Sequence, residues 1–166
     1  MSANKIVLGN EGDVISAWVQ TAELCHQGSL RRWKNRHAAS FFYQQLISDK
    51  AQRDWFKAYL LRSEDFMFMV MLGDQAIGCI GIRLRDGIWD VYNVIRGITS
   101  IRSSGFMSLA LNMIISFAQG LQSISIQCQA VAGNPAISWY LKNGFEVVCA
   151  RDGRITMHYH VDRPSS

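Results

Sequence analysis

Residues 66–72 read FMFMVML, residues 76–84 read AIGCIGIRL and residues 89–95 read WDVYNVI, with Gly73-Asp74-Gln75 and Arg85-Asp86-Gly87 marking the joins. Each apolar run has the length of a strand rather than a helix. The joins are too short for a crossover, since parallel neighbours need about a dozen connecting residues. Three consecutive strands therefore form an antiparallel meander. Beyond it the period changes: Phe106, Leu109, Ala110, Met113, Ile114 and Phe117 recur at helical spacing through Ala118, and Gly120 stands where the helix is expected to end.

Toward the C-terminus, ISIQCQAV at 124–131 alternates as a strand. PAISWYLKN at 135–143 reads as a short helix with Pro135 at an allowed early position and Gly144 closing it. FEVVCA at 145–150 and ITMHYHV at 155–161 are two strands around the turn Arg151-Asp152-Gly153-Arg154. Toward the N-terminus, the spacing of Val14, Trp18 and Cys25 predicts a helix over 14–26 that Gly28 ends. A second helix is predicted from Leu30 to Phe42, with Leu30, Trp33, His37 and Phe41 on one face and Arg31, Arg32, Lys34 and Arg36 as a basic flank. Ser48 is placed as the N-cap of a third, with Asp49 in its first turn and Trp55, Phe56, Tyr59 and Leu60 along it. Trp33 and Trp55 read as packing residues.

A chain of 166 residues with 49% hydrophobic and 18% charged content is expected to be one domain, 1–166, with ample core and no membrane span. Neither internal proline-rich linkers nor repeats divide it. A net charge of +4 suits an anionic ligand but is too small to indicate nucleic-acid binding, and none is expected. Cys25, Cys79, Cys128 and Cys149 form no C-x-x-C pair and read as buried free thiols of a reducing compartment. The polar start after Met1 lacks the apolar stretch of a secretory signal, so a cytoplasmic location is expected.

The join at 98–111, ITSIRSSGFMSLAL, places a polar, Gly-containing turn before a helix. A first helical turn carries unsatisfied N–H donors and the positive end of the dipole, which suits phosphate oxygens. Arg102 adds charge, Ser103 and Ser104 add hydroxyls, and Gly105 permits close approach. An ordinary Ser/Gly helix start remains the alternative on the loop alone.

Two segments resemble the GNAT superfamily of acyl-coenzyme A-dependent N-acyltransferases, and the likeness extends from about Leu30 to Val161. RSSGFM, Arg102 to Met107, is similar to the family's pyrophosphate loop Q/R-x-x-G-x-G/A, with Met107 departing from the small last residue. GNPAISWYLKNGF, 133–145, resembles the family's Asn…Ala…Tyr…Gly-Phe helix; Tyr140, Gly144 and Phe145 keep the spacing, while Asn134 lies one position closer to Ala136 than usual. The resemblance implies an α/β fold with a mixed, mostly antiparallel sheet of six or seven strands flanked by helices, the phosphate-binding helix following the third meander strand. It also implies acetyl-CoA as cosubstrate and direct attack by a primary amine. The coenzyme would be held by Gly97, Ile98, Arg102, Ser103, Ser104, Gly105, Phe106, Met107 and Asn134.

On the same resemblance Tyr140 is the candidate acid for the departing thiolate and Asp90 the candidate base. A core aromatic and a surface carboxylate at a turn are the plainer alternatives. The basic flank of the second helix and the stretch through Leu60 look like members that acetylate nucleotide-linked amino sugars or ribosomal-protein N-termini. The acceptor is thus expected to be a small-molecule amine, an amino sugar among the candidates. A protein amine and a non-catalytic acyl-CoA-binding protein stay open, and similar proteins are often homodimers. His158 and His160 share a strand face without further ligands, so no metal is expected.

Overall fold

The computed structural model describes residues 6–7, 17–100 and 104–160. Among these, eight strands form one sheet: β1 (Ile6–Val7), β2 (Ala17–Thr21), β3 (Asp65–Leu72), β4 (Gln75–Arg85), β5 (Ile88–Arg96), β6 (Ile126–Val131), β7 (Phe145–Arg151) and β8 (Arg154–Tyr159). Their spatial order is β1-β2-β3-β4-β5-β6-β8-β7, and every neighbouring pair is antiparallel except β5 with β6. Among the described residues, four α-helices complete the α/β fold: α1 (Gln27–Arg36), α2 (Asp49–Tyr59), α3 (Ser104–Leu121) and α4 (Ala136–Lys142).

The meander β3-β4-β5 and the order helix, strand, helix, two strands stand as the sequence predicts. The N-terminus differs. Within the expected helix 14–26, residues 17–21 are strand β2, paired with β3 from Ala17 opposite Leu72 to Thr21 opposite Phe68. Ala17 and Val19, two apart, are fully buried, whereas Cys25 is exposed, so the buried spacing has a period of two. A 3-10 turn, Leu24–His26, then leads into α1, and Gly28 lies inside that helix instead of ending one. α1 also stops at Arg36, short of Phe42. α3 runs past Gly120 to Leu121. Ser48 caps α2 as expected, its Oγ accepting from the Ala51 N–H at 3.1 Å.

The FMFMVML run is continuous because both faces of the central strands are covered. Phe68 and Val70 point into a core with Leu111 and Ile114 of α3, and Met67, Met69 and Met71 point into a second with Trp33 of α1 and Phe56 of α2. Of the cysteines, Cys79 and Cys128 are buried; Cys25 and Cys149 are exposed free thiols, because Cys149 lies on the uncovered edge strand β7.

Gly97 follows β5 where the sheet meets α1, and a Cβ there would sit 2.1 Å from the Trp33 indole. Trp33 is buried and cannot withdraw. Gly97→Ala is therefore expected to lower stability by about 1–3 kcal/mol, the usual range for overpacking, readable as a lower denaturation midpoint. Wild-type stability would mean that α1 can slide off the sheet.

Candidate active site

The site begins with an irregularity in β5. Cys79 pairs with Ile95 and Gly81 with Tyr92, so Asn93 and Val94 together stand against Ile80. This is a β-bulge, and Asn93 adopts φ 48°, a left-handed conformation that Asn tolerates better than most residues. The bulge bends β5 away from β6: their parallel pairing covers only Trp89–Val91 with Ile126–Cys128. Beyond Val91 the strands part, and β6 offers no partner to the β5 edge from Tyr92 to Ile95. Such an edge can pair with an extended ligand that carries amides.

A cavity of about 520 Å³ fills this wedge and continues over the α1 side of the sheet. Tyr92 to Arg96 line one wall, Gln129, Ala130, Asn134 and Tyr140 another, and His37, Phe41, Phe42 and Tyr43 form a roof. Tyr140 enters from α4, its ring held edge-on between Trp139 at 5.2 Å and Phe145 at 5.5 Å. Trp139 is fixed in turn by its Nε1, which donates to Ser108 Oγ of α3 at 3.1 Å. Gly144, at φ 90°, turns the chain from α4 into β7 and so places Phe145 against Tyr140. Burial first, and then the nearby Cys128, Asp90 and Cys79, push the Tyr140 phenol well above its ordinary pKa. It is a hydrogen-bond donor throughout the working pH range.

Asp90 lies on the same cavity, opposite Arg83 in the β4–β5 register. Arg83 Nε and Nη2 both reach Asp90 Oδ2 at 3.1 Å, and the guanidinium lies 4.2 Å from the Tyr92 ring centre. Burial raises the Asp90 pKa; Arg83, and a hydrogen bond from Gln127, act against the rise. Asn134 is engaged at both ends, its Nδ2 donating to Ser40 O at 3.1 Å and its Oδ1 accepting from Ala136 N at 2.9 Å. It ties the cavity roof to the start of α4.

The structure does not bring Gly97 and Ile98 into this cavity. Both amides donate to Ile77 O, at 2.8 and 3.0 Å, so the wedge-facing backbone is that of Tyr92 to Arg96 instead. Arg102 and Ser103 lie outside the described residues. Ser104 opens α3, and Gly105 sits exposed in its first turn, where a Cβ would meet open space. Packing thus gives no reason for glycine at 105. Phe106 packs on the core, and Met107 is 4% exposed, turned away from the loop and over Gly78 of β4. The absence of a side chain at Gly78 leaves space for the Met107 sulfur, so the bulky residue in the loop motif leaves the helix start open.

Lys34, His37, Asn93 and Arg154 are among the wall residues that the sequence reading did not place in the site. Asn in the middle of an apolar strand was a legible sign of the bulge. Lys34 was read only as part of the basic flank, yet its Nζ donates to Asn93 Oδ1 and lies 3.6 Å from the Phe41 ring centre. Burial lowers its pKa to about 8. In the unfolded chain Lys34 returns toward 10.5, so between these values the unfolded state binds the extra proton and stability rises with pH. Below about 8 the full cost of the buried charge is present. Lys34→Met is accordingly expected to raise the melting temperature near neutral pH by a few degrees, with the gain vanishing toward pH 10. A melting curve for each protein across pH checks this, and a loss of stability at pH 7 would contradict it.

Among the described residues, no three His, Cys, Asp or Glu side chains cluster to hold a metal, and no helix is long and apolar enough to cross a membrane. His160 Nε2 meets Glu146 Oε2 at 3.0 Å.

A mostly antiparallel sheet split between two parallel strands, with a helix starting at the open end of the split, defines the fold of the acyl-CoA N-acyltransferases. The chain belongs to the acetyltransferase (GNAT) family, whose sequence model matches residues 30–145, and is with it an acetyl-CoA-dependent N-acetyltransferase. Comparison with curated proteins gives no match. Among solved structures, PaiA N-acetyltransferase from Thermoplasma acidophilum, in complex with coenzyme A, superposes with a TM-score of 0.67 at 13% identity, covering 87% of this chain and 98% of that one. FdhC, a nucleotide-linked sugar GNAT, gives 0.67 at 14% identity over 96% and 88%. RimL, a ribosomal L7/L12 alpha-N-protein acetyltransferase in complex with coenzyme A, gives 0.69 at 13% over 92% and 96%. At these identities the likeness concerns the fold.

Proposed function

We propose that this protein transfers acetyl from acetyl-CoA to the primary amine of a small molecule, an amino sugar being the specific candidate, by direct attack in a ternary complex. The observation that carries the reading is the wedge itself: an unpaired β5 edge, open at one end toward the start of α3 and walled at the other by Tyr140 and Asp90. A thioester arm lying along Tyr92 to Ile95 would pair its amides with that edge, and Ser104, Gly105 and the preceding Arg102 and Ser103 would meet the diphosphate. The roof formed by Phe41 to Tyr43 narrows the acceptor side, which favours a small molecule over a protein surface.

In the reaction the amine lone pair attacks the thioester carbonyl, an amide forms, the carbon–sulfur bond breaks, and the proton the nitrogen sheds ends on the departing sulfur. Holding both reactants in attack geometry contributes roughly 7–11 kcal/mol. An alkylammonium must first lose a proton, and Asp90, a carboxylate on the wall with a raised pKa, is the residue assigned to take it. Tyr140 hydrogen-bonds the departing sulfur. Isothermal titration with acetyl-CoA, followed by thiol release over an amine panel, tests the reading. Binding and amine-dependent release are expected; no binding at millimolar acetyl-CoA would overturn it.

A further inference from the structure

The cavity wall carries cations that no carboxylate among the described residues answers. Lys34, Arg83, Arg85 and Arg154 line it; Arg85 meets Asp86 at 3.7 Å, and the one carboxylate on the wall is that of Asp90. That carboxylate is already taken by Arg83. Lys34 is answered by an amide oxygen and a ring, and Arg154 by Gln129 Oε1 at 2.6 Å and the Phe42 ring at 4.1 Å. Among the described residues neither has a carboxylate partner. His37 Nε2 is buried there without a hydrogen-bond partner.

The half-buried Lys34 is unfavourable there without a counter-charge, and together with the exposed Arg154 it repels an ammonium.

We infer that the acceptor amine carries a phosphate group, which Lys34 and Arg154 receive while His37 Nε2 binds a phosphate or hydroxyl oxygen beside it. This rests on the acetyltransferase reading and narrows its substrate to phosphate-bearing amines. The phosphate supplies the missing counter-charge and sets the molecule's orientation, so that its amine faces the wedge. Phe42 and Tyr43, both about half exposed at 48% and 58%, give the rim an apolar face on which a sugar ring or a base can rest.

The test uses the full chain saturated with coenzyme A, so that the coenzyme's phosphate sites are filled, and titrates glucosamine 6-phosphate, glucosamine and serine. Glucosamine 6-phosphate is expected to bind at least about tenfold more tightly than glucosamine, with the gap narrowing as salt rises. Arg154→Gln and Lys34→Met, made separately, are each expected to shrink that ratio at least about threefold, and kcat/KM with acetyl-CoA should follow the same order. Equal affinities, a preference for the carboxylate of serine, a ratio untouched by both variants, or no binding of the phosphate at about 10 mM would each overturn the proposal. If acetyl-CoA is bound and consumed with phosphate-free amines equally well, the acetyltransferase reading survives and this inference fails. If acetyl-CoA does not bind at all, both fail.

Discussion

Tyr140→Phe is expected to lower kcat by roughly a hundredfold while leaving the affinity for acetyl-CoA within about twofold. The substitution keeps the ring, and with it the edge contacts to Trp139 and Phe145, so the fold and the wedge wall should persist. What disappears is one O–H. Burial and the neighbouring Cys128 and Asp90 hold that phenol far above its usual pKa, whereas a leaving thiol ionises near 8.5. Full proton transfer from phenol to thiolate is therefore uphill. The phenol's contribution is a hydrogen bond that strengthens as charge grows on sulfur, which acts on the transition state and not on coenzyme binding. The sign of the shift adds a second check: a raised phenol pKa keeps the donor protonated, so Tyr140 contributes no falling limb to the rate profile below pH 10. Steady-state kinetics and a coenzyme titration on the two proteins decide the matter. Turnover unchanged in the variant would remove Tyr140 from catalysis and leave it a core aromatic.

The fold was legible where periodicity and turn chemistry agreed. The meander was visible because three apolar runs met short polar joins, and α4 because Pro135, Tyr140 and Gly144 fall at positions that only a short helix reconciles. β2 was illegible for a physical reason: Ala17 and Val19 are two residues in a five-residue strand, too few for a period of two to outweigh a helical pattern drawn through Val14, Trp18 and Cys25. Within the site, local motifs pointed to Gly105 and Tyr140, since each belongs to a turn or helix whose spacing carries information. Lys34, Asn93 and Arg154 meet at the cavity only through sheet register and the packing of α1, which no local window contains. Gly97 shows the converse. The family resemblance implied a coenzyme contact there, while in the structure a side chain at 97 would meet the Trp33 indole.

Gly105→Asp separates the two roles that a helix start can play. A carboxylate in the first turn of α3 faces the positive end of the helix dipole, which favours it by about 0.3–1 kcal/mol, and a Cβ at this position meets open space. The variant should fold normally and melt at or slightly above the wild-type temperature. Against a bound diphosphate the same carboxylate is repulsive: two unit charges about 5 Å apart at an effective dielectric near 20 oppose each other by about 3 kcal/mol, or a loss in acetyl-CoA affinity of roughly a hundredfold. Stability and affinity are thus expected to move in opposite directions, which a merely disruptive substitution cannot produce. Gly105→Ala, which adds a methyl and no charge, is the comparison, and its affinity should fall far less. Isothermal titration of the three proteins with acetyl-CoA, alongside their melting curves, reads the result. An undiminished affinity in Gly105→Asp would mean that the phosphates lie elsewhere than the start of α3, and the orientation of the coenzyme in the wedge would have to be reversed.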